Sequence, residues 1–160
     1  MLRKDNTAER TGVPVVRPPW ATEARVKGNC TGCNACIRAC PEGILIGARA
    51  GAPVVDFNRG ACTFCGNCAE ACDEDVFLPL ENAPWDHVAA IGAGCLLDQG
   101  VTCQSCQDGC DTEALRFEYG VGPAGAMAVI ADNCTGCGAC VALCPTRAIS
   151  MARASAKVAA

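Results

Sequence analysis

The sequence predicts an α+β fold of two tandem modules, each made of short strands and short helices. Three observations carry that expectation. All sixteen cysteines fall into four blocks of four. The segments that flank those blocks repeat. Large apolar side chains are also scarce: Ile, Val, Leu and Phe together make 31 of 160 residues. That is just under the fifth that usually separates folding chains from disordered ones. Something besides side chains must therefore occupy the interior.

The blocks are Cys30, Cys33, Cys36, Cys40; Cys62, Cys65, Cys68, Cys72; Cys95, Cys103, Cys106, Cys110; and Cys134, Cys137, Cys140, Cys144. Apolar runs precede two of them, PVVDF before the second and AMAVI before the fourth. After the last cysteine of each come PEGIL, DEDVF, DTEAL and PTRAI, a polar turn leading into an apolar residue that can start a strand. The repeating unit thus reads strand, cysteine loop, short helix, turn, strand. The Cys-free stretch 78–94 separates the first pair of blocks from the second. The expected organisation is a basic N-terminal extension over 1–27, a first module over 28–78, a linker over 79–94, a second module over 95–151 and a flexible tail over 152–160.

Blocks one, two and four have the spacing C-x2-C-x2-C-x3-C. Three thiolates two residues apart can wrap one iron–sulfur cubane, because the loop between them is tight. Small residues such as Gly32, Ala35, Gly66, Gly136 and Gly138 let the backbone approach and aim its N–H groups at sulfur. The third and fourth cysteines are one helical turn apart, so the fourth projects away from its own loop. In two-cluster proteins of this type it ligates the other cluster. Zinc sites show CxxC pairs across a longer gap, often with histidine. Here three cysteines run consecutively, and the one histidine, His87, lies far from every block. A thioredoxin-like CxxC needs a βαβ context that is absent.

The N-terminal stretch lacks an apolar h-region, a small-residue cleavage site and a twin-arginine pair, so the expected compartment is a reducing cytoplasm. No run approaches 18 apolar residues, and no membrane span is expected. Residues 28–132 carry fourteen acidic and four basic side chains, whereas both ends are basic. Nucleic-acid binding would call for a basic body, so it is not expected. Each cubane with four thiolates adds about −2, on a formal net charge of −4. A partner should be basic or should engage the basic ends. No nucleophile–base pair, phosphate loop or substrate pocket is visible. Electron transfer or cluster-dependent interaction is expected rather than catalysis, by a monomer.

These motifs resemble the bacterial two-[4Fe–4S] ferredoxin family over about residues 28–150. The resemblance implies tandem ferredoxin modules holding [4Fe–4S] clusters, four by count and at least three. It implies one cluster on Cys30, Cys33, Cys36 and Cys72, and a second on Cys62, Cys65, Cys68 and Cys40. A third would use Cys134, Cys137, Cys140 and Cys110, and a fourth Cys103, Cys106, Cys144 and Cys95. Block three opens with a seven-residue gap, LLDQGVT. Two readings stand open there: Cys95 ligates through that excursion, or the fourth cluster lacks it and is labile or [3Fe–4S]. Cys72 and Cys110 are followed by Asp73 and Asp111 where the ferredoxin run has proline. A carboxylate there is expected to lower the local reduction potential, or to be a solvated turn acid.

The basic leader ending in RPPWA, the stretched third block and the order of all four blocks are similar to the NapF family of ferredoxin-type proteins from periplasmic nitrate reductase systems, over about residues 15–151. That resemblance implies a cytoplasmic accessory protein that binds the precursor of the molybdenum catalytic subunit, NapA, and assists its maturation before export. The alternative is a multi-cluster electron-transfer subunit of an oxidoreductase. Outside the cysteines, Trp20 has two readings, a docking anchor or packing on its own module. Trp85 and His87 are expected to pack between modules.

Overall fold

The computed structural model describes residues 15–154. It has short helices and short strands throughout, α1 (Glu23–Asn29), α2 (Ala35–Ala39), β1 (Leu45–Gly47), β2 (Pro53–Val55), α3 (Asn67–Glu70), β3 (His87–Ile91), α4 (Ser105–Asp108), β4 (Leu115–Glu118), β5 (Ala126–Val129), α5 (Ala139–Leu143) and β6 (Ile149–Arg153). The chain divides into two compact units. One comprises the chain up to Arg59 together with Thr63–Trp85; the other comprises Gly60–Cys62 and the chain from Asp86 onward.

The first unit holds an antiparallel hairpin, β1 on β2, with Leu45 opposite Val55 and Gly47 opposite Pro53. An isolated antiparallel bridge joins Ala21 to Phe77. The core residues are Val16, Trp20, Val26, Ile44, Leu45, Val54, Phe57 and Val76, all buried. Ile44 and Val76 occupy the same place, four residues after the last cysteine of their blocks, which is why each turn after a block ends on an apolar residue.

The N-terminal part of this unit differs from the expected extension. From Val16 the chain is folded in. Val55 N–H donates to Val16 O at 2.9 Å, and Leu78 N–H to Trp20 O at 2.7 Å. Arg17 donates to both carboxylate oxygens of Glu23, at 2.6 and 3.1 Å, and to Pro53 O at 3.0 Å. Helix α1 is capped by Thr22, whose hydroxyl accepts from Arg25 N–H and satisfies one orphan donor. Trp20 is buried, 6% exposed, and its Nε1–H donates to Asn82 O at 2.8 Å. The packing reading of Trp20 is the one observed. A buried ring with a satisfied N–H stabilises a small core.

In the second unit, β4 pairs with β5 (Leu115 opposite Val129) and β3 with β6 (His87 opposite Arg153, Ile91 opposite Ile149), both antiparallel. Val88, Ala89, Leu97, Ala114, Leu115, Val141, Ile149 and Met151 are buried. Strand β3 lies inside the stretch read as a linker. Its HVAAI run is short and Ala-rich, a weak strand signal on its own, and its partner β6 lies some sixty residues further on. Trp85, expected between modules, sits edge-on to Phe57 and Phe64 in the first unit, at ring-centre distances of 5.9 and 5.5 Å. His87 lies in β3 of the second unit, where burial holds its imidazole below the usual histidine range. Of the expected tail, 152–153 belong to β6, and 155–160 lie outside the described residues.

Candidate metal centres

Each C-x2-C-x2-C loop is built by two left-handed residues that flank its second cysteine. They are Gly32 (φ +72°) and Asn34 (+62°) in block one, Phe64 (+55°) and Gly66 (+83°) in block two, and Gly136 (+77°) and Gly138 (+80°) in block four. Alternating left-handed residues curl the backbone around a concave space and turn its amides inward. The second left-handed residue is also the N-cap position of α2, α3 or α5. The third cysteine is therefore the second residue of a short helix, and Cys36, Cys68 and Cys140 are buried there. The helix ends at or next to the fourth cysteine, so that thiol leaves in a different direction.

Gly32 carries a second constraint. A Cβ on it would stand 2.7 Å from Ala50 O, which is closer than real contacts allow. The first cysteine loop thus lies directly against the turn between β1 and β2.

Four thiols, Cys30, Cys33, Cys36 and Cys72, line one cavity of the first unit together with Val76 and Phe77. Burial pushes the Cys36 thiol up to about 11, and the neighbouring Cys72, Cys30 and Cys33 add to the shift. In the second unit, Cys95, Cys103, Cys106 and Cys144 line another cavity with Leu96, Leu97 and Ile149. Burial likewise raises Cys106 to about 11, with Cys103 and Cys95 contributing. Cys140 is raised to about 12, by burial first and then by Cys137, Cys134, Cys106 and Cys110. Of the remaining set, Cys68 and Cys40 meet in an apolar cluster with Cys36 and Leu45, Cys65 is exposed and Cys62 is half-buried.

These sets fit a cluster better than an ion. Among the described residues, no three His, Cys, Asp or Glu side chains gather as a group that could hold a single metal ion. In the two cavities the sulfurs instead stand around voids with largely apolar walls, the environment of a multi-atom cube held by thiolates. Buried thiols with raised pKa are expensive to ionise bare, and iron supplies the compensating charge when it displaces their protons.

Block three departs from the others. Gln104 follows its second cysteine with φ −127° instead of a left-handed turn. The residues between Cys95 and Cys103 form a compact turn of their own. Gln99 and Val101 N–H both donate to Leu96 O, at 3.0 and 2.9 Å, and Leu97 is buried. The seven-residue excursion is therefore an ordered loop that returns Cys95 to the same cavity as Cys103.

Some residues around the sulfurs escaped the sequence reading. Thr112 Oγ1 lies 3.6 Å from Cys110 Sγ, Thr146 Oγ1 3.7 Å from Cys144 Sγ, and Ser105 Oγ 3.7 Å from Cys103 Sγ. Ala148 N–H donates to Cys144 Sγ at 3.2 Å and Ala89 N–H to Cys134 Sγ at 3.4 Å. Burial acts to raise the Cys110 and Cys144 thiols, but Thr112 with the amides of Thr112, Ala114 and Leu115, and Thr146 with those of Thr146, Ala148 and Ile149, hold both below the usual range. The available signal was a hydroxyl two residues after a cysteine, C-x-[ST], a local side-chain motif. Asp73 and Asp111 are exposed. Asp75 is clamped by Arg25 and by Asn29, which donates to its carbonyl at 2.6 Å.

Short helices on small antiparallel sheets, with tightly looped cysteines lining apolar voids, define a ferredoxin-type iron–sulfur protein with about four [4Fe–4S] clusters. Profiles described as "4Fe-4S dicluster domain" match residues 23–77 and again 101–148. The chain is 44% identical over 137 residues to "Ferredoxin-type protein NapF" of Haemophilus influenzae, covering 85% of this chain and 78% of that one. It is 40% identical over 136 residues to the protein of the same name from Escherichia coli K12, covering 84% and 83%. The chain belongs to the NapF family of ferredoxin-type proteins. Ferredoxin-type iron–sulfur proteins are generally electron carriers rather than enzymes. Among the described residues, no helix is long and apolar enough to cross a membrane.

Proposed function

We propose that this chain is a cytoplasmic iron–sulfur accessory protein of the periplasmic nitrate reductase system, which binds the precursor of the catalytic subunit NapA and assists its maturation before export. The observation that carries this reading is the relationship to NapF proteins over more than four-fifths of the chain. Its clusters are assigned to Cys30, Cys33, Cys36 and Cys72; to Cys62, Cys65, Cys68 and Cys40; to Cys134, Cys137, Cys140 and Cys110; and to Cys95, Cys103, Cys106 and Cys144. The two four-thiol cavities support the first and last of these sets. Cys137, Cys134 and Cys110 of the third set all stand near enough to raise Cys140, as does Cys106 of the fourth.

A second reading, an electron-transfer subunit of an oxidoreductase, is favoured by exposure. Cys33 and Cys65 are open to solvent, which brings two of the assigned clusters within short reach of a docked redox partner. The two readings separate in one experiment. Tagged protein is recovered anaerobically from nitrate-respiring cells, bound proteins are identified, and iron is counted. Recovery of a signal-bearing NapA precursor is the expected result. Recovery of a membrane or cytosolic oxidoreductase with no precursor would sink the maturation reading.

A further inference from the structure

We infer that Gln107 is the positioning residue of the cluster assigned to Cys95, Cys103, Cys106 and Cys144: its side chain ties the one-turn helix α4, which carries Cys106, to the open edge of β4. The inference rests on the ligand assignment proposed above.

Helix α4 needs a hold from outside itself. It spans four residues, Ser105–Asp108, and a single turn does not persist on its own hydrogen bonds. In α2, α3 and α5 a left-handed residue at the N-cap, Asn34, Gly66 or Gly138, sets the direction in which the helix leaves its cysteine loop. The equivalent residue of block three is Gln104, with φ −127°, and α4 lacks that start.

The hold comes from β4. Ile130 N–H donates to Ala114 O at 2.7 Å, and Leu115 lies opposite Val129. Bonded and non-bonded pairs alternate along an antiparallel ladder. The bonds to β5 therefore fall on Ala114, Arg116 and Glu118, and the amide of Phe117 points away from β5. The side-chain oxygen of Gln107 accepts from that amide. The sheet is thus joined to the helix at the residue next to Cys106, which shares its cavity with Cys95, Cys103 and Cys144.

The same place in the other blocks is apolar: Ile37, Ala69 and Val141. In block one Ile37 Cδ1 comes within 3.7 Å of the point that a Cβ on Gly47 would take. Gly47 follows Cys40 by seven positions, as Phe117 follows Cys110. Helix and strand meet at equivalent points, through packing in block one and through a directed bond in block three. One other contact acts on α4, since a Cβ on Gly109 would stand 2.0 Å from Leu143 Cδ1. Leu143 is exposed and its end can rotate away, so it constrains the helix less than a bond with a preferred angle does.

The test is a chelator challenge of the anaerobically purified full chain, with iron release followed in time and EPR recorded on reduced samples. Gln107→Leu removes the acceptor, and loss of one hydrogen bond shifts a local opening equilibrium by about tenfold. About four of about sixteen iron atoms should then leave about tenfold faster than in the wild type, with the rest unchanged. Gln107→Glu keeps an acceptor oxygen and should restore the wild-type rate. An unchanged rate in Gln107→Leu overturns the inference. So does a Gln107→Glu that releases iron as fast as Gln107→Leu, or an equal acceleration of all the iron, which marks a general loss of stability. Should Gln107→Leu fail to fold, Gln107→Met, which keeps the length and flexibility of the side chain, decides in the same way. Cys144→Ser identifies the centre: the EPR signal missing from it should be the one that Gln107→Leu loses first. Loss of a centre in Cys144→Ser with no acceleration in Gln107→Leu removes the positioning role and leaves the ligand assignment standing. Full iron and an unchanged spectrum in Cys144→Ser remove both.

Discussion

Removing Cys95 is the sharpest perturbation of the proposed ligand sets. Four thiols line the cavity of the second unit, and Cys95 reaches it across the only stretched spacing in the chain. Cys95→Ala would leave Cys103, Cys106 and Cys144, three sulfurs for a cube with four iron corners. Four complete clusters correspond to about sixteen iron atoms per chain. Loss of one corner gives about fifteen iron and a three-iron cluster; loss of the whole centre gives about twelve. Iron and acid-labile sulfide counts on anaerobic protein distinguish these numbers. EPR of the oxidised sample adds an independent reading, because an oxidised three-iron cluster is paramagnetic and an oxidised [4Fe–4S] cluster is silent. The Leu96–Thr102 turn should survive the substitution, since its backbone hydrogen bonds from Gln99, Gly100 and Val101 are internal and Leu97 anchors it. A variant that retains about sixteen iron and a silent oxidised spectrum would refute Cys95 as a ligand.

Further outcomes follow from the packing. Trp20→Ala removes a buried ring and should cost about 3–5 kcal/mol, seen as a lower denaturant midpoint of the holoprotein; an unchanged midpoint would return Trp20 to a docking role. Gly32→Ala puts a Cβ against Ala50 O at a left-handed residue, and should weaken incorporation at the Cys30 loop, read as iron lost on purification; full iron content would show that the turn can shift. Arg17→Met should cost about 1–3 kcal/mol through its bonds to Glu23 and Pro53 O. The Arg17 hydrogen bond is the largest cause that lowers the Glu23 carboxyl below its reference of 4.5. A depressed folded pKa stabilises above the unfolded value and fades as pH falls through the folded one, so the gap between wild type and Arg17→Met should narrow below about pH 4.5. A constant gap from pH 7 to 3 would rule the pair out as its source.

The cysteine spacing was legible because it is local chemistry. Three thiolates around one loop need tight turns, and Gly32, Gly66, Gly136 and Gly138 mark those turns in the chain itself. The strand starts at Leu45, Leu115 and Ile149 were legible too, each five residues after a block ends. Strand β3 was not. HVAAI is short and Ala-rich, and only pairing with ISMAR, remote in sequence, makes it a strand. The leader was misplaced for a similar reason: Arg17 finds Glu23 nearby, but the burial of Val16 and Trp20 depends on β2 and on the chain near Asn82. The hydroxyls beside sulfur follow a C-x-[ST] spacing visible in the chain, but whether each reaches its sulfur depends on rotamer and turn geometry.

By itself, then, the sequence determined the number of cysteine blocks, their pairing into two modules and the iron–sulfur chemistry, because loop closure around a cube is set by residues a few positions apart. Tertiary structure alone decided that Cys95 lines the same cavity as Cys144, that Trp20 packs by the chain near Asn82, and that Ala89 N–H meets the Cys134 sulfur. Those outcomes depend on groups far apart in the chain meeting at distances of a few ångströms, and hydrogen-bond strength falls too steeply with geometry for sequence to carry it.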